Sequence, residues 1–361
     1  MRSKDGFMPN YPSLCAAACV VTLAAMSPSS AQTSAVEHRF VEVNGIRMHI
    51  AEQGRGPLVL LAHGFPELWY SWRHVLPALA AAGYHAVAPD MRGYGQTDAP
   101  PNISDYTQLQ IAGDLVGLVR ALGYDQAVVA GHDWGAPAAY NAANLRPDVF
   151  RAVILLSVPY VVRGEGGVKP TEAMRRRVPA GQQFYQTYYQ TPGVAEKEFE
   201  ADPKRTIRLR FYAGSGSIPK EHKTRFVFGL DQKALDGFTD PKELPAWLRE
   251  EDLDYYAKEF ARTGFRGGLN WYRGQDIYWQ ETPFLVGRKL LEPTLYIAGE
   301  DDPAAELVRP AVDSLETNVP NLWKKVLLPG VGHLPEQEAP GEVNRLMVEF
   351  LQSNAKNAPL K

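Results

Sequence analysis

The chain is nearly free of cysteine. Its two cysteines, Cys15 and Cys19, both lie within the first 31 residues. The remaining sequence therefore offers neither a cysteine nucleophile nor thiolate ligands for a metal site. Such a composition suits an oxidising compartment, where a stray thiol would be a liability.

The sequence also lacks a strong excess of charge and a long apolar run. The formal net charge is −3 over 361 residues and no polybasic cluster occurs, so nucleic acid is a poor candidate for a partner. The apolar run at residues 14–26 is shorter than the ~20 residues that a membrane-spanning helix needs. With 45% hydrophobic and 22% charged residues, the composition is that of a globular protein able to fold without disulfides or metal.

Residues 1–31 have the pattern of a signal peptide. Arg2 and Lys4 supply positive charge, residues 14–26 are apolar, and the small residues at 29–31 suit a cleavage site. We therefore expect residues 1–31 to be removed during export, which would place the mature protein in the periplasm or outside the cell. The alternative is an N-terminal extension without a targeting role.

From residue 39 onwards, short apolar strands alternate with helical stretches. Strands are predicted at residues 39–43, 47–52, 58–62, 85–88, 126–130, 152–157, 294–298 and 323–328. Helices are predicted at residues 72–82, 106–122, 136–144, 305–315 and 341–351. Asn44-Gly45 is a hairpin turn signal between the first two strands. The alternation favours the α/β class, with a doubly wound and mostly parallel sheet.

The alternation is interrupted between residues 159 and 292. This segment is rich in tyrosine, phenylalanine, arginine and glutamate, and its periodicity is helical without clear strands. We interpret it as a helical lid that covers a site and excludes water, and we call it the lid segment. The core is then formed by residues 39–158 and 293–355.

Gly131-His132-Asp133-Trp134-Gly135 lies between a predicted buried strand and a helix. The flanking glycines permit the sharp turn of a nucleophile elbow, in which serine usually occupies the central position. Here that residue is Asp133. A carboxylate with an ordinary pKa near ~3.9 is already ionised at neutral pH and can attack directly, giving an ester that water must cleave. Taken alone, Asp133 could equally be the cap of the following helix.

Gly332-His333 follows the last predicted strand, and His333 is the only histidine after position 222. It fits the chain order nucleophile, acid, histidine, with the histidine as general base for water and a carboxylate orienting its ring. The loop after the preceding strand contains three candidate acids, Glu300, Asp301 and Asp302, and their spacing does not choose among them.

His63-Gly64-Phe65-Pro66 follows the third predicted strand. The backbone N–H groups of Phe65 and Trp134 are candidates for an oxyanion hole. A tight turn with a packed aromatic ring is the alternative, and both are compatible because the donor is backbone.

Together these motifs resemble those of the epoxide hydrolases of the α/β-hydrolase fold, from about residue 39 to the C-terminus. In that family the acid directly precedes proline, which favours Asp302 over Asp301 because Pro303 follows it. The resemblance implies an α/β-hydrolase fold and an epoxide substrate. It implies no metal and no organic cofactor.

The resemblance extends to two tyrosines of the lid segment, whose hydroxyls in this family hydrogen-bond the epoxide oxygen. Residues 184–193 resemble the first tyrosine motif and indicate Tyr185, with Tyr188 or Tyr189 as alternatives. Asn270-Trp271-Tyr272-Arg273 resembles the second and indicates Tyr272. Asp133 would then open the epoxide, and His333 with Asp302 would activate the water that releases a vicinal diol.

Other functions use a similar framework. Haloalkane dehalogenases also use an aspartate followed by tryptophan, but they carry asparagine after His-Gly and lack the tyrosine pair. Fluoroacetate dehalogenases use arginines after the nucleophile, where this chain has Trp134 and Pro137. An exported binding protein without activity would not need to retain the complete set, and a serine esterase lacks its Gly-x-Ser-x-Gly motif. The particular epoxide, the stereochemistry and the choice between monomer and homodimer stay open.

Overall fold

The computed structural model describes Gly6, residues 35–165 and residues 167–355. Apart from Gly6, the segment for which a signal peptide is predicted lies outside the described residues, so that prediction stays a prediction. Among the helices of the described part, none combines the length and the apolarity that crossing a bilayer requires.

Within the described residues, eight strands form the central sheet and two short strands form a separate antiparallel pair. The strands in chain order are β1 (Glu37–Val43), β2 (Ile46–Gln53), β3 (Leu58–Ala62), β4 (His85–Pro89), β5 (Ala127–His132), β6 (Phe150–Leu156), β7 (Gln182–Phe184), β8 (Val227–Gly229), β9 (Thr294–Gly299) and β10 (Leu322–Leu328). The order in the central sheet is β1-β2-β4-β3-β5-β6-β9-β10. The pairs β1–β2 and β2–β4 are antiparallel and the other pairs are parallel, which confirms the predicted mostly parallel sheet.

The helices lie on the two faces of this sheet and in the lid segment. They are α1 (Val75–Ala81), α2 (Gln108–Ala121), α3 (Gly135–Leu145), α4 (Pro170–Arg177), α5 (Tyr185–Tyr188), α6 (Val194–Phe199), α7 (Pro203–Gly214), α8 (Glu250–Thr263), α9 (Arg266–Arg273), α10 (Gln275–Glu281), α11 (Ala305–Asp313), α12 (Leu315–Asn318), α13 (Pro335–Glu338) and α14 (Pro340–Ala355). Apolar residues of α2 and α3 pack in one core layer, and those of α1 and α14 pack in a second. Strands β3, β5 and β9 are consequently buried at every position, as expected for parallel strands covered on both faces.

The lid segment is inserted between two neighbouring strands, because β6 and β9 lie side by side in the sheet. It contains helices α4 to α10, as its helical periodicity predicts. It also contains the β7–β8 pair, which the sequence does not predict since three-residue strands are too short to show a period. Arg163 and Val286 form an isolated bridge near the two ends of the segment.

Two of the predicted helices are not continuous α-helices over their predicted ranges. The helix predicted at 72–82 begins later, because the chain first makes a 3₁₀ turn at Trp69–Trp72 and α1 starts only at Val75. The helix predicted at 305–315 is interrupted at Ser314, where α11 ends and α12 starts. Short α13, directly after His333, was not predicted.

A buried ion pair joins the first hairpin to α2. Arg92 donates to both carboxylate oxygens of Asp114, at 2.5 and 2.7 Å, and the Asn44 side chain in the hairpin turn donates to Asp114 Oδ1 at 2.8 Å. Asp114 is fully buried and Arg92 is nearly so. Both charges are therefore satisfied only while the turn, the loop and the helix stay together.

We expect the Asp114→Ala variant to lose about 3–5 kcal/mol of unfolding free energy, because Arg92 would be left as an unpaired buried charge. Urea unfolding followed by circular dichroism measures this loss. Asp125→Ala is the control, since its pair with Arg120 is exposed and should contribute little. Equal stability of the two variants would contradict the assignment.

Candidate active site

Asp133 occupies a sharp turn between β5 and α3. Its φ of 48° lies in the left-handed region, which is unusual for a residue other than glycine. A Cβ on Gly131 would lie 2.0 Å from the carbonyl oxygen of Gly135, and one on Gly64 would lie 2.4 Å from Cβ of Asp133. Glycine is therefore required around this turn, which lifts the Asp133 side chain from the end of the sheet towards the lid segment.

The Asp133 carboxylate has one contact on each oxygen. The amide N–H of Phe65 donates to Oδ1 at 2.9 Å, and Nε2 of His333 lies 3.4 Å from Oδ2. Burial favours the neutral acid, but the hydrogen bond and charge of His333 outweigh it and lower the Asp133 pKa. The predicted second donor, the amide of Trp134, makes no hydrogen bond to Asp133 within the described residues, so its oxyanion role stays a prediction.

Asp302 contacts the other side of the His333 ring. Nδ1 of His333 lies 2.9 Å from Asp302 Oδ2, while Oδ1 accepts from the amide of Ala304 at 2.7 Å. Asp301 points elsewhere, since its Oδ2 accepts from the amide of Gly330 at 3.1 Å. The structure thus places Asp302, the residue that the family resemblance favours, against the histidine.

His333 is held as a cation between two carboxylates. Burial works against its charge, but Asp302 and Asp133 together raise the His333 pKa well above its ordinary value. In this state both ring nitrogens carry a proton. The ring is therefore unable to accept a proton while Asp133 is ionised.

The two predicted lid tyrosines line the same cavity as Asp133. The ring of Tyr272, on α9, lies 5.4 Å from that of Phe65 and 4.9 Å from that of Trp134, between centroids. The ring of Tyr185, at the start of α5, lies 6.1 Å from that of Tyr272. Burial, and next the Tyr185 hydroxyl, raise the Tyr272 pKa, while burial and Asp133 raise that of Tyr185, so both hydroxyls keep their protons and can donate.

The alternative tyrosines have other partners. The Tyr188 hydroxyl donates to Glu198 at 2.9 Å, and the Tyr189 hydroxyl accepts from Arg210 at 2.8 Å. The Tyr185 hydroxyl accepts from the amide of its neighbour Gln186 at 2.8 Å and retains its own proton. Of these three hydroxyls, that of Tyr188 already donates to Glu198, whereas those of Tyr185 and Tyr189 only accept and can both donate to a ligand.

A cavity of about 530 Å³ lies between the sheet and the lid segment. Six of the predicted site residues contribute to its wall: Phe65, Asp133, Trp134, Tyr185, Tyr272 and His333. Asp302 lies behind His333, as an orienting acid should. The wall is mostly apolar, which suits a small organic ligand.

A buried cluster below the nucleophile was not predicted. Nδ1 of His132 lies 2.7 Å from Glu67 Oε2, and Nε2 lies 2.6 Å from the carbonyl oxygen of His333. Glu336 Oε1 lies 3.7 Å from the same Nδ1. Despite burial, Glu336 and Glu67 raise the His132 pKa to about 10, so His132 is an imidazolium that donates from both nitrogens. The signal in the sequence was the placement of His132 and Glu67 beside two recognised motifs.

The same three side chains lie close enough to share a small cation. The contacts favour a proton instead, because both nitrogens of His132 already donate to oxygen and Glu67 Oε2 also accepts from the amide of Gly64 at 2.8 Å. The cluster therefore supports the main chain of His333 and adds positive charge beneath Asp133.

Glu336 is the member without a hydrogen bond. Both of its carboxylate oxygens are buried without a hydrogen-bond partner in the described part of the chain. Burial raises the Glu336 pKa to about 8, although the charge of His132 opposes the shift. Glu67 is thus the carboxylate paired with His132, and Glu336 is the member of the cluster whose burial favours its neutral form.

This predicts a pH dependence of stability. The folded protein retains a proton on Glu336 that the unfolded chain releases above its ordinary pKa of 4.5, so stability falls as pH rises from about 4.5 to 8. Glu336→Gln mimics the neutral form and should flatten this fall, by up to about 1.4 kcal/mol per pH unit. Urea unfolding at pH 5 and pH 8 measures it. His132 also lowers stability as pH rises, between its ordinary pKa of 6.5 and its raised pKa of about 10. If Glu336→Gln left the pH profile of stability unchanged, the dependence would belong to His132 alone.

Known proteins are similar to this chain over most of its length. A family model described as the alpha/beta hydrolase fold matches residues 57–335. Epoxide hydrolase A of Mycobacterium tuberculosis is 44% identical over 320 residues, covering 87% of this chain and 96% of that protein. An epoxide hydrolase of Caballeronia sordidicola is 41% identical over 323 residues, covering 89% and 95%.

Solved structures of epoxide hydrolases are also similar to this chain. An epoxide hydrolase from an endophytic Streptomyces superposes with a TM-score of 0.85 at 44% identity, covering 89% of this chain and 96% of that one. Epoxide Hydrolase A from Mycobacterium thermoresistibile gives a TM-score of 0.83 at 44% identity, covering 88% and 98%. Identity at this level over nearly the whole length of the relatives shows the family, and the chain therefore belongs to the epoxide hydrolases of the α/β-hydrolase fold.

Proposed function

We propose that the protein hydrolyses epoxides to vicinal diols through a covalent ester on Asp133. The observation that carries the proposal is the position of the Asp133 carboxylate, which lies between the amide of Phe65 and His333 and lines the same cavity as Tyr185 and Tyr272 of the lid segment. Membership of the epoxide hydrolase family supports the substrate class.

In the first half of the reaction, an Asp133 oxygen attacks one epoxide carbon from the face opposite the ring oxygen. The C–O bond of the ring breaks, and the oxygen takes a proton from one of Tyr185 and Tyr272 and a hydrogen bond from the other, which leaves one phenolate. This follows from their buried, protonated hydroxyls on the far side of the cavity. The lid segment keeps bulk water away from the developing alkoxide, where such donors are most effective.

In the second half, water cleaves the ester. Formation of the ester removes the negative charge of Asp133, which together with Asp302 holds the His333 pKa high. His333 can then give up its proton, which restores the phenol of the tyrosine, and the neutral ring accepts a proton from the attacking water while Asp302 orients it. The amides of Phe65 and Trp134 are proposed to stabilise the tetrahedral oxyanion. The diol then leaves with the second proton of the added water, and Asp133 is restored as a carboxylate beside the His333 cation.

A single-turnover reaction in ¹⁸O water tests this route. With excess enzyme over styrene oxide, the first diol should contain little ¹⁸O, because its new oxygen comes from Asp133. With excess substrate, later diol should carry one ¹⁸O atom. Immediate labelling of the first product would contradict the ester mechanism, and halide release from haloalkanes without any diol would favour a dehalogenase.

The lid tyrosines provide a further prediction. Tyr185→Phe and Tyr272→Phe should each lower the rate of ester formation roughly 10²-fold, as loss of one donor to a developing oxyanion does. Stopped-flow fluorescence measures that rate. Tyr188→Phe is the matched control, because the Tyr188 hydroxyl is bound to Glu198. If Tyr188→Phe lowered the rate of ester formation as much as Tyr185→Phe, the choice of Tyr185 over Tyr188 as the proton donor would be contradicted.

We also propose that residues 1–31 direct export and that residues 159–292 act as the lid. The first proposal rests on the charge and apolar pattern of the N-terminus. N-terminal sequencing of protein recovered from a periplasmic extract would test it, and an intact Met1 there would contradict cleavage.

A further inference from the structure

Arg210, on α7, extends from the lid segment into the cavity wall. Its guanidinium carbon lies 5.1 Å from the ring centroid of Phe65 and 5.8 Å from that of Phe199. Nη1 donates to the Tyr189 hydroxyl at 2.8 Å. A guanidinium therefore stacks against the same Phe65 whose amide binds the Asp133 carboxylate.

This cation has no carboxylate partner. Among the described residues, no Asp or Glu oxygen lies within 4.0 Å of the Arg210 guanidinium, whereas Arg205 and Arg208 on the same helix both pair with Asp240. Nε of Arg210 is buried and has no hydrogen bond. Removing a cation from water without an anion is costly, so a charge in this position is expected to serve a ligand.

The position of Arg210 limits where an anionic ligand group would lie. The Tyr189 ring, to whose hydroxyl Arg210 donates, is 5.4 Å from the Tyr185 ring and 5.1 Å from the Tyr272 ring. The positive charge also acts on both lid tyrosines, since it lowers their pKa values against the effect of burial. An anion on Arg210 would thus lie only a few bonds from an epoxide oxygen held by those hydroxyls.

With Arg210 included, the side chains that line the cavity carry an excess of positive charge. Of the described residues that line it, three are arginines, Arg163, Arg210 and Arg225, and two are acids, Glu67 and Asp133. Glu67 is already bound to His132, and neither Arg163 nor Arg225 is ion-paired within the described chain. The charge balance of the wall favours an anionic ligand, while the planar guanidinium fork matches a carboxylate in particular.

From this geometry we infer that the enzyme prefers epoxides that carry a carboxylate close to the ring, and that Arg210 binds this carboxylate. The inference rests on the proposed function and adds the substrate class. The carboxylate would accept hydrogen bonds from the guanidinium while the ring oxygen accepts from Tyr185 and Tyr272, which leaves the ring carbons facing Asp133.

The test compares one epoxide in charged and neutral form. The wild type should hydrolyse 3-phenylglycidate with a kcat/KM at least about tenfold above that of its methyl ester. In Arg210→Gln this ratio should fall by roughly 10- to 100-fold, as expected for loss of a charge-assisted hydrogen bond. Arg210→Lys keeps the charge and should retain an intermediate ratio. Arg205→Gln, an exposed position on the same helix, is the control and should keep the wild-type ratio.

The outcomes are distinguishable. A wild-type ratio near one, with diol formed from both compounds, would overturn the inference and leave the proposed function intact. If Arg210→Gln lowered kcat/KM equally for both compounds, Arg210 would act by positioning the lid tyrosines and not by binding the carboxylate. That result would also overturn the inference. No diol from either compound or from styrene oxide would overturn the proposed function itself. Circular dichroism and thermal unfolding establish that each variant is folded.

Discussion

His333→Gln is expected to trap the reaction at the ester. Asp133 can still attack, because the Phe65 amide and the His132 cation continue to stabilise its charge. Glutamine cannot remove a proton from water, so the ester persists. Intact-mass spectrometry after addition of styrene oxide should show the protein plus one epoxide, and steady-state turnover should fall by about 10⁴-fold or more.

The reaction should be run near pH 8, because the variant has lost the main group that lowers the Asp133 pKa. Asp301→Asn is a suitable control, since Asp301 contacts Gly330 and not the histidine. It should turn over without accumulating adduct. A folded His333→Gln protein that gives no adduct would exclude the covalent route.

Asp133→Asn is expected to abolish both the adduct and the diol. An amide is a poor nucleophile, so turnover should fall by about 10⁴- to 10⁶-fold, the range seen when a nucleophile is removed. Asparagine is the substitution of choice because it tolerates the left-handed backbone at position 133 better than alanine does. The fold should therefore survive.

Diol production measured by gas chromatography tests Asp133→Asn, with thermal unfolding as the check on folding. The comparison with His333→Gln is informative, since one variant should form no ester and the other should retain it. Diol formation by Asp133→Asn within about tenfold of wild type would show that water attacks the epoxide directly.

The sequence predicts where the Asp133 turn and the His333 loop lie in the fold, because local turns determine their positions. The elbow at Asp133 and the loop at His333 follow buried strands, and parallel strands bring their carboxyl ends to one edge of the sheet. The hairpin at Asn44-Gly45 is confirmed for the same reason, since both residues adopt the positive φ that its turn requires.

Features that depend on distant parts of the chain could not be predicted. Three consecutive acids at 300–302 differ only in the direction of their side chains, which the packing of the loop decides. Glu336 and Arg210 carry no local pattern, because what makes them unusual is the absence of a partner in three dimensions. The roles of Tyr185 and Tyr272 came from family resemblance alone, and the structure adds that both line one cavity.

The insertion of the lid segment between adjacent strands β6 and β9 has a consequence for how such enzymes diversify. Because the inserted chain leaves and rejoins the sheet at neighbouring strands, it can be exchanged without altering strand order. Asp133 and His333 lie in loops that follow strands of the central sheet, while Tyr185, Tyr272 and Arg210 lie in the lid segment. Evolution or laboratory recombination can thus exchange the lid segment, and with it the substrate preference, while Asp133 and His333 are kept.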